Sequence, residues 1–323
     1  MLKGTLLFLA NQDSIHRLVM RHDLLHGLAQ RYVAGEELAD GIVVAQTLNT
    51  QRLKASLDYL GESVTNEADA RRATRAYLDA LDAIAREQVE AGISLKLTAL
   101  GLDISRELCT AHLRAVLERT RSLAESTAHE PIFVRIDMES SAYTQRTLDI
   151  HAQFWDEGYR NVGIVLQAAL HRTAADVERA IEMRVPVRLC KGAYLEPPQV
   201  AFAQKAAVDS NFARLSERLL RAGAHPAIAT HDEHLIRHAQ DVARRERIPP
   251  SRFELQMLFG VRRDLQLRLV QQGYPMRVYL PYGEQWYPYL VRRLAERPAN
   301  LGFFVRSLVL ESLAGQRAGG AAA

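Results

Sequence analysis

The sequence predicts an α/β fold in which eight strand–helix units close into a barrel. Three observations support this prediction. Eight short apolar or alternating runs recur along the chain, longer helical segments separate them, and glycine-rich phosphate-binding turns are missing. The first fifty residues mix polar and apolar residues at helical spacing, so we expect extra helices ahead of the barrel.

The eight runs have the length of strands. In chain order they are ASLDYL (55–60), ISLKLTAL (93–100), IFVRID (132–137), VGIVLQA (162–168), VPVRLC (185–190), AIAT (227–230), FELQML (253–258) and MRVYLP (276–281). The predicted helical segments between them include 68–91, 105–127, 143–158, 174–184, 199–223, 233–247 and 262–273. Successive runs start 23 to 42 residues apart, which suits strand–helix units wound in parallel with a right-handed twist.

The competing architecture is an open, doubly wound sheet. Such a sheet usually carries a glycine-rich phosphate turn after its first strand, and the chain contains neither G-x-G-x-x-G nor G-x-x-x-x-G-K-[ST]. We therefore predict a TIM-like (β/α)8 barrel. The predicted parts are an N-terminal helical segment (1–50), a catalytic barrel (51–308) and a C-terminal helix end with a flexible tail (309–323).

Composition narrows the class of protein. The 323 residues are 48% hydrophobic, enough for a sizeable core, and 41 basic against 38 acidic side chains do not indicate nucleic-acid binding. Cys109 and Cys190 match no zinc or redox spacing, so we expect reduced thiols in a cytoplasmic protein. The longest apolar runs fall short of the roughly 18 residues of a membrane span, and LLFLA (6–10) is too short for a signal peptide.

Polar side chains fall near the end of every predicted strand, where a barrel of this type places its active site. Each one has a structural alternative. Lys96 could pair with Asp137, and Arg188 could pair with Glu62 or Glu254. Taken together they favour a site for an anionic ligand, since its cations include at least Lys96, Arg188, Lys191, Arg292 and Arg293.

The stretch YLPYGEQWYPYLVRRLAERPAN (279–300) places an aromatic cluster directly before an arginine pair. Neighbouring residues of a helix point about 100° apart, so Arg292 and Arg293 reach one ligand only if it lies close to the helix. Glu296 is spaced to orient either arginine. The pair is either a solvent-exposed complement to a helix C-terminus or a bidentate clamp on a carboxylate.

Several long motifs resemble proline dehydrogenase. They are VRLCKGAYLEP (187–197), RIDMES (135–140), FELQMLFG (253–260) and the stretch 279–300, with SLKLTALG (94–101) and LDYLGE (57–62) in support. The resemblance covers residues from about 50 to 305 and indicates the monofunctional bacterial form. It implies a distorted (β/α)8 barrel that binds FAD and transfers a hydride from proline C5 to flavin N5. The implied product is Δ1-pyrroline-5-carboxylate, formed in the first step of proline degradation to glutamate.

The resemblance also implies residue roles. Asp137 and Arg188 are expected to be catalytic, with Arg188 at the flavin N5 edge and Asp137 orienting either Lys96 or Arg188. Lys96, Arg292 and Arg293 are expected to hold the proline carboxylate, and Tyr279 to pack against the proline ring. The expected cofactor contacts, besides Arg188, are Met138, Gln167, Lys191, Gly192, Ala193, Thr230 and His231.

The implied partners are a membrane quinone, which takes the electrons, and a separate pyrroline-5-carboxylate dehydrogenase, which takes the product. A peripheral position at the inner face of the plasma membrane is then an alternative to a purely cytoplasmic one. Two other functions compete with this one. A metal-dependent barrel hydrolase would use HDEH (231–234), although a cation-rich site repels a metal ion. A non-catalytic binding barrel would need no charged strand ends.

Overall fold

The computed structural model describes residues 31–61, 64–127 and 130–295, and for Thr127 and 291–295 it describes the backbone alone. The predicted helices of the first thirty residues and the predicted C-terminal tail lie outside these ranges. Glu62 and Glu296 lie outside them as well.

Helices and strands alternate along the described chain. They follow in the order α1 (Leu38–Thr50), β1 (Lys54–Tyr59), α2 (Glu67–Arg86), β2 (Ala91–Leu95), α3 (Arg106–Thr127), β3 (Val134–Ile136), α4 (Ser141–Asp156), β4 (Val162–Gln167), α5 (Thr173–Glu182), β5 (Val187–Cys190), α6 (Lys205–Ala222), β6 (Ala227–Ala229), α7 (Glu233–Arg245), a 3-10 turn (Pro250–Arg252), β7 (Glu254–Leu258), α8 (Arg263–Gln271), β8 (Met276–Tyr282) and α9 (Trp286–Ala295). Within the described ranges, no helix combines the length and the apolar character that crossing a bilayer requires.

The eight strands form a closed parallel barrel. Each strand pairs with the next in the chain, and β8 pairs with β1 to close the ring. Ser56 of β1 lies opposite Gly92 of β2 on one side and Tyr279 of β8 on the other. The predicted TIM-like fold is therefore confirmed, and each of the eight predicted runs falls on one of these strands.

Three predicted boundaries were wrong by five residues or more. The helix predicted over 68–91 ends at Arg86, and β2 already starts at Ala91. The run 93–100 is a strand only as far as Leu95, because Thr98 donates its N–H (3.3 Å) and its hydroxyl (2.7 Å) to Glu139 and the chain folds into turns there. The helix predicted over 199–223 begins only at Lys205. The residues before it are held by backbone pairing between Leu170 and Ala201.

Several strands, among them β1, β5, β7 and β8, alternate between apolar residues that face the helices and polar residues that face the barrel axis. In β1, Leu57 is buried under the helices, whereas Ser56 Oγ lies 2.9 Å from Ser94 Oγ of β2. Arg188 of β5 reaches both Ser94 and Gln256 of β7, which is geometrically feasible only through the barrel interior. The interior is thus a hydrogen-bonded polar network, where most such barrels have layers of branched apolar side chains.

Gly163 of β4 makes room for a buried arginine in this interior. A Cβ at Gly163 would lie 2.5 Å from the Pro186 carbonyl oxygen and 2.6 Å from Arg135 Nη1. Arg135 Nη1 donates to the carbonyls of Ile164 (3.0 Å) and Pro186 (2.7 Å). Burial, followed by repulsion from Arg188, lowers the pKa of Arg135 to about 9. A larger residue at position 163 would displace this guanidinium.

Helix α1 packs outside the seam between β8 and β1. A Cβ at Gly41 would lie 3.4 Å from both Leu57 of β1 and Tyr282 of β8. The Ala34 N–H donates to the Pro281 carbonyl at 2.9 Å, and Trp286 Nε1 of α9 donates to Glu36 Oε1 at 2.8 Å. Residues 34–50 therefore pack against the closed barrel at β1 and β8. The predicted domain boundary at residue 50 stays a prediction.

Candidate active site

The C-terminal mouth of the barrel gathers a cluster of ionisable side chains from five strands. Its members are Asp58 of β1, Lys96 after β2, Asp137 after β3, Arg188 of β5 and Tyr279 of β8. Strand ends of a parallel barrel meet at this face, and the two-residue period turns these side chains toward the axis. Four members, all but Asp58, were predicted from the sequence.

Arg188 is the most constrained member of the cluster. Its Nη1 donates to Asp137 Oδ1 (2.7 Å), its Nε to Gln256 Oε1 (2.5 Å) and its Nη2 to Ser94 Oγ (3.1 Å). The sequence left open whether Asp137 orients Lys96 or Arg188, and the structure places it on Arg188. Glu254, the other suggested partner of Arg188, pairs with Arg277 instead, at 2.9 Å.

Tyr279 joins the same group through its hydroxyl and its ring. The hydroxyl donates to Asp137 Oδ2 at 2.7 Å, and the ring centroid lies 5.3 Å from Arg188 Cζ. Burial and the neighbouring carboxylates of Asp137 and Asp58 raise the pKa of Tyr279 well above its usual value. The phenol is therefore a neutral donor, and Asp137 accepts from Tyr279 and Arg188 at once.

Lys96 is paired with an acid that the sequence reading missed. Its Nζ lies 3.3 and 3.5 Å from the two carboxylate oxygens of Asp58, which is 1% exposed. Burial raises the pKa of Asp58 and the attraction of Lys96 opposes it. One signal could have identified Asp58, since it alternates with Ser56 on the inward face of an otherwise apolar run. The sequence-based prediction instead named Glu62, which follows that run.

Breaking this pair should destabilise the fold. Lys96→Met should cost roughly 3–5 kcal/mol of unfolding free energy, because the buried Asp58 carboxylate loses its countercharge. Denaturant unfolding of Lys96→Met, Asp58→Asn and the double variant measures the coupling. The double variant should lose less stability than the sum of the two single changes. Additive losses would mean that the two side chains do not stabilise each other.

Residues expected to contact a cofactor lie beside the cluster, at the ends of β3, β4 and β5. Gln167 Nε2 donates to the carbonyls of Met138 (3.1 Å) and Glu139 (3.0 Å), which joins the ends of β3 and β4. Gly192 is exposed and has φ 104°, a left-handed conformation that favours glycine. Ala193 follows it on the exposed loop after β5.

The remaining residues of this group follow β5 and β6. Lys191 Nζ lies 3.0 Å from Asp232 Oδ2. Thr230 Oγ1 accepts from the Asp232 N–H at 3.1 Å, and His231 Nε2 accepts from the Leu258 N–H at 2.9 Å. The structure thus brings the predicted cofactor residues together along four consecutive strand ends, β3 to β6, and their contacts with a cofactor stay predictions.

The arginine pair is placed only by its backbone. Arg292 and Arg293 lie in α9 (Trp286–Ala295), which follows β8 and therefore starts at the mouth of the barrel. Their side chains lie outside the described part of the structure. Their role on a carboxylate stays a prediction.

The motif HDEH (231–234) is engaged in the barrel framework. His231 accepts from Leu258, Asp232 caps α7 by accepting from the His234 N–H at 3.1 Å, and Glu233 pairs with Arg237 at 3.0 Å. In the ranges that the structure covers, no three His, Cys, Asp or Glu side chains gather as metal ligands. Nothing in this motif favours the metal-dependent hydrolase.

The fold and the cluster together define a (β/α)8 barrel whose mouth carries two cations, two carboxylates and a phenol, which are the groups of an enzyme active site. A sequence model of the family described as proline dehydrogenase matches residues 42–306. Proline dehydrogenase 1 of Bacillus subtilis subsp. natto is 38% identical over 309 residues, 96% of this chain and 99% of that protein. Proline dehydrogenase of Deinococcus radiodurans is 33% identical over 95% of this chain and 97% of its own. The chain belongs to the proline dehydrogenase family.

Solved structures agree with this assignment. The crystal structure of proline utilization A (PutA) from Bdellovibrio bacteriovorus, a protein inactivated by N-propargylglycine, matches this chain with a TM-score of 0.76 and 26% identity. The match covers 84% of this chain and 32% of that one, so the chain spans about a third of that protein. Bifunctional protein PutA of Escherichia coli is 28% identical over 88% of this chain and 25% of its own length. The monofunctional type predicted from the sequence is thus supported by relatives of equal length.

Proposed function

We propose that the protein oxidises L-proline to Δ1-pyrroline-5-carboxylate with FAD as its cofactor and a membrane quinone as electron acceptor. The observation that supports this most strongly is the Asp137–Arg188–Tyr279 cluster at the barrel mouth of a family member. The resemblance assigns these three residues to the reacting centre, and the structure has them in direct contact.

The residues along β3 to β6 fit a flavin dinucleotide. Such a ligand combines a ring that gains negative charge when it is reduced with a diphosphate that is always anionic. The strand ends offer a cation for each, Arg188 for the ring and Lys191 for the diphosphate. Gly192 is exposed in the left-handed conformation, which leaves the backbone open to close approach by a ligand. Met138 and Gln167 would contact the ring system, with Thr230, His231 and Ala193 along the remainder. When bound, the flavin supplies the hydride acceptor.

The protein's own residues bind and orient the substrate. Lys96, with Arg292 and Arg293, holds the proline carboxylate, and Asp58 holds the Lys96 ammonium group in place. Fixing one end of a small ring sets the position of its C5 atom, which is the positioning contribution to catalysis. The Tyr279 ring covers the apolar edge of proline. Asp137 accepts hydrogen bonds from both Tyr279 and the Arg188 guanidinium and so holds them in place. The guanidinium then stabilises negative charge that develops beside it.

The partners follow from the same proposal. A quinone dissolved in the membrane requires the protein to approach the bilayer, so a peripheral position at its inner face fits the expected cytoplasmic location. In the bifunctional proteins named above, the region similar to this chain is about a quarter to a third of a longer protein. We propose that a separate pyrroline-5-carboxylate dehydrogenase consumes the product of this chain.

The carboxylate clamp leads to a testable prediction. Arg292→Met and Arg293→Met should each raise the KM for proline strongly, because removing one partner of a buried charged contact costs roughly 2–5 kcal/mol. Arg268→Met is a matched control, since Arg268 lies on the outer helix α8 and pairs with Glu233 of α7. Steady-state kinetics measure the effect. An unchanged KM in both variants would identify the pair as a solvent-exposed helix face.

Turnover of the purified protein tests the proposed function. L-Proline should reduce a soluble quinone analogue and give a dehydrogenated, cyclic imine product, and denaturation should release FAD. Metal analysis in parallel separates the competing functions. A preparation that carries zinc without flavin and lacks proline turnover would contradict the proposal and favour the hydrolase.

A further inference from the structure

A chain of hydrogen bonds runs from the reacting cluster into the barrel interior. Arg188 Nε donates to Gln256 Oε1 at 2.5 Å, and Gln256 Nε2 donates to Glu254 Oε1. Glu254 in turn accepts from Arg277 Nε at 2.9 and 3.2 Å, and Arg277 Nη1 donates to the Ala55 carbonyl at 2.9 Å. Neither Gln256 nor Glu254 binds substrate or cofactor in the proposed function.

The donor-to-acceptor order of these hydrogen bonds depends on the orientation of the Gln256 side-chain amide. Gln256 has an acceptor end and a donor end of nearly equal size, so its hydrogen-bond partners decide which end faces Arg188. With its oxygen toward Arg188 and its nitrogen toward Glu254, both ends are matched. The flipped amide would oppose donor to donor at Arg188 and acceptor to acceptor at Glu254.

Glu254 enforces this orientation as long as it is an anion, because a carboxylate can only accept. Burial works against the charge, but attraction and hydrogen bonding from Arg277, with a hydrogen bond from Gln256, outweigh it and lower the pKa of Glu254 to about 2. The carboxylate is therefore ionised over the whole physiological range. Gln256 is 4% exposed and Glu254 7%, so water does not compete for these bonds.

We propose that Gln256 and Glu254 are positioning residues for the reaction: Glu254 fixes the Gln256 amide, and Gln256 fixes the guanidinium of Arg188. The inference rests on the proposed function, in which Arg188 faces the flavin. A guanidinium held at one place stabilises charge on the reduced ring better than one free to turn. Gln256 therefore affects the flavin potential and kcat without touching flavin or substrate.

Gln256→Met tests this, because it removes the acceptor of Arg188 Nε and leaves the Glu254–Arg277 ion pair in place. The flavin midpoint potential should fall and kcat should drop by up to about 100-fold, the loss expected of a misplaced catalytic group. The KM for proline should stay the same, since the carboxylate anchors are unchanged. Gln240→Met is the control: Gln240 is also a buried glutamine, 7% exposed, but lies on the outer helix α7. Gln240→Met should change neither the flavin midpoint potential nor kcat.

A double-variant cycle shows whether the effect passes through Arg188. In an Arg188→Met background, Gln256→Met should lower the potential no further. Glu254→Gln should lower the potential in the parent protein and not in Gln256→Met. If Gln256→Met does not bind flavin, Gln256→Asn, whose shorter side chain cannot reach both partners, is measured in its place with the same expectation.

The outcomes separate this inference from the proposed function. A shift in Arg188→Met with none in Gln256→Met or Gln256→Asn would overturn the positioning role and leave the function intact. The positioning role would also be overturned if Gln256→Met lowered the flavin potential by the same amount in the parent protein and in the Arg188→Met background. An unchanged potential in flavin-bound Arg188→Met would instead contradict the placement of Arg188 at the flavin.

Discussion

Replacing Arg188 with methionine is expected to lower kcat by about 10²- to 10³-fold, the loss typical of removing one preorganised donor from a site of developing charge. The flavin midpoint potential should fall as well, because the guanidinium stabilises the reduced, anionic ring more than the neutral oxidised ring. Arg188 is 6% exposed, so solvent screens its charge poorly. Potentiometry and steady-state kinetics on the flavin-bound variant measure both effects.

Arg188→Lys is the matched control for this change. Lysine keeps the charge but lacks the planar fork that reaches Asp137, Gln256 and Ser94 together. It should retain most of the potential and lose most of the rate. If the methionine variant kept the parent potential with its flavin bound, Arg188 would not lie beside the ring.

Tyr279→Ser is expected to change substrate preference. In the proposed site the Tyr279 ring covers the C3–C4 edge of proline and leaves little room for a 4-hydroxyl group. The parent should therefore use proline much better than 4-hydroxyproline, and the serine variant should narrow the ratio, chiefly by losing proline efficiency. A missing hydrophobic wall costs roughly 1–3 kcal/mol, or about 10- to 200-fold in kcat/KM.

Tyr279→Phe separates the wall from the hydroxyl. The phenyl ring keeps the apolar surface but cannot donate to Asp137, a bond of 2.7 Å in the parent. The phenylalanine variant should keep the preference for proline and lose rate. A parent that uses both substrates equally well, or a serine variant with the parent ratio, would show that Tyr279 does not line the substrate pocket.

The barrel was predictable from sequence because its strands are locally encoded. Runs such as 162–168 and 227–230 are apolar, short and bounded by helical segments, and no glycine-rich turn favours an open sheet. Arg188 and Tyr279 were predictable because strand ends define the mouth of a parallel barrel. Alternation along the run 276–281 also predicts that Arg277 and Tyr279 share one face, and both take part in the interior hydrogen bonds.

Which of the candidate partners each of these residues meets was not predictable, because the pairs are contacts between distant strands. Lys96 meets Asp58, which is 38 residues away, and Arg188 meets Gln256, which is 68 residues away. No local pattern encodes such pairs, since several acids were equally available to each cation. Turn residues after β2 were also misread as strand, because the hydrogen bonds of Thr98 to Glu139 come from another strand end.

Anaerobic mixing of the purified protein with L-proline tests the central claim most directly. The proposal predicts that the protein as purified shows the visible absorption of oxidised flavin, and that proline alone bleaches it. The same addition to Arg188→Met should bleach the flavin far more slowly. A flavin band that L-proline leaves unchanged, or a purified protein without flavin that fails to take up added FAD, would contradict the claim.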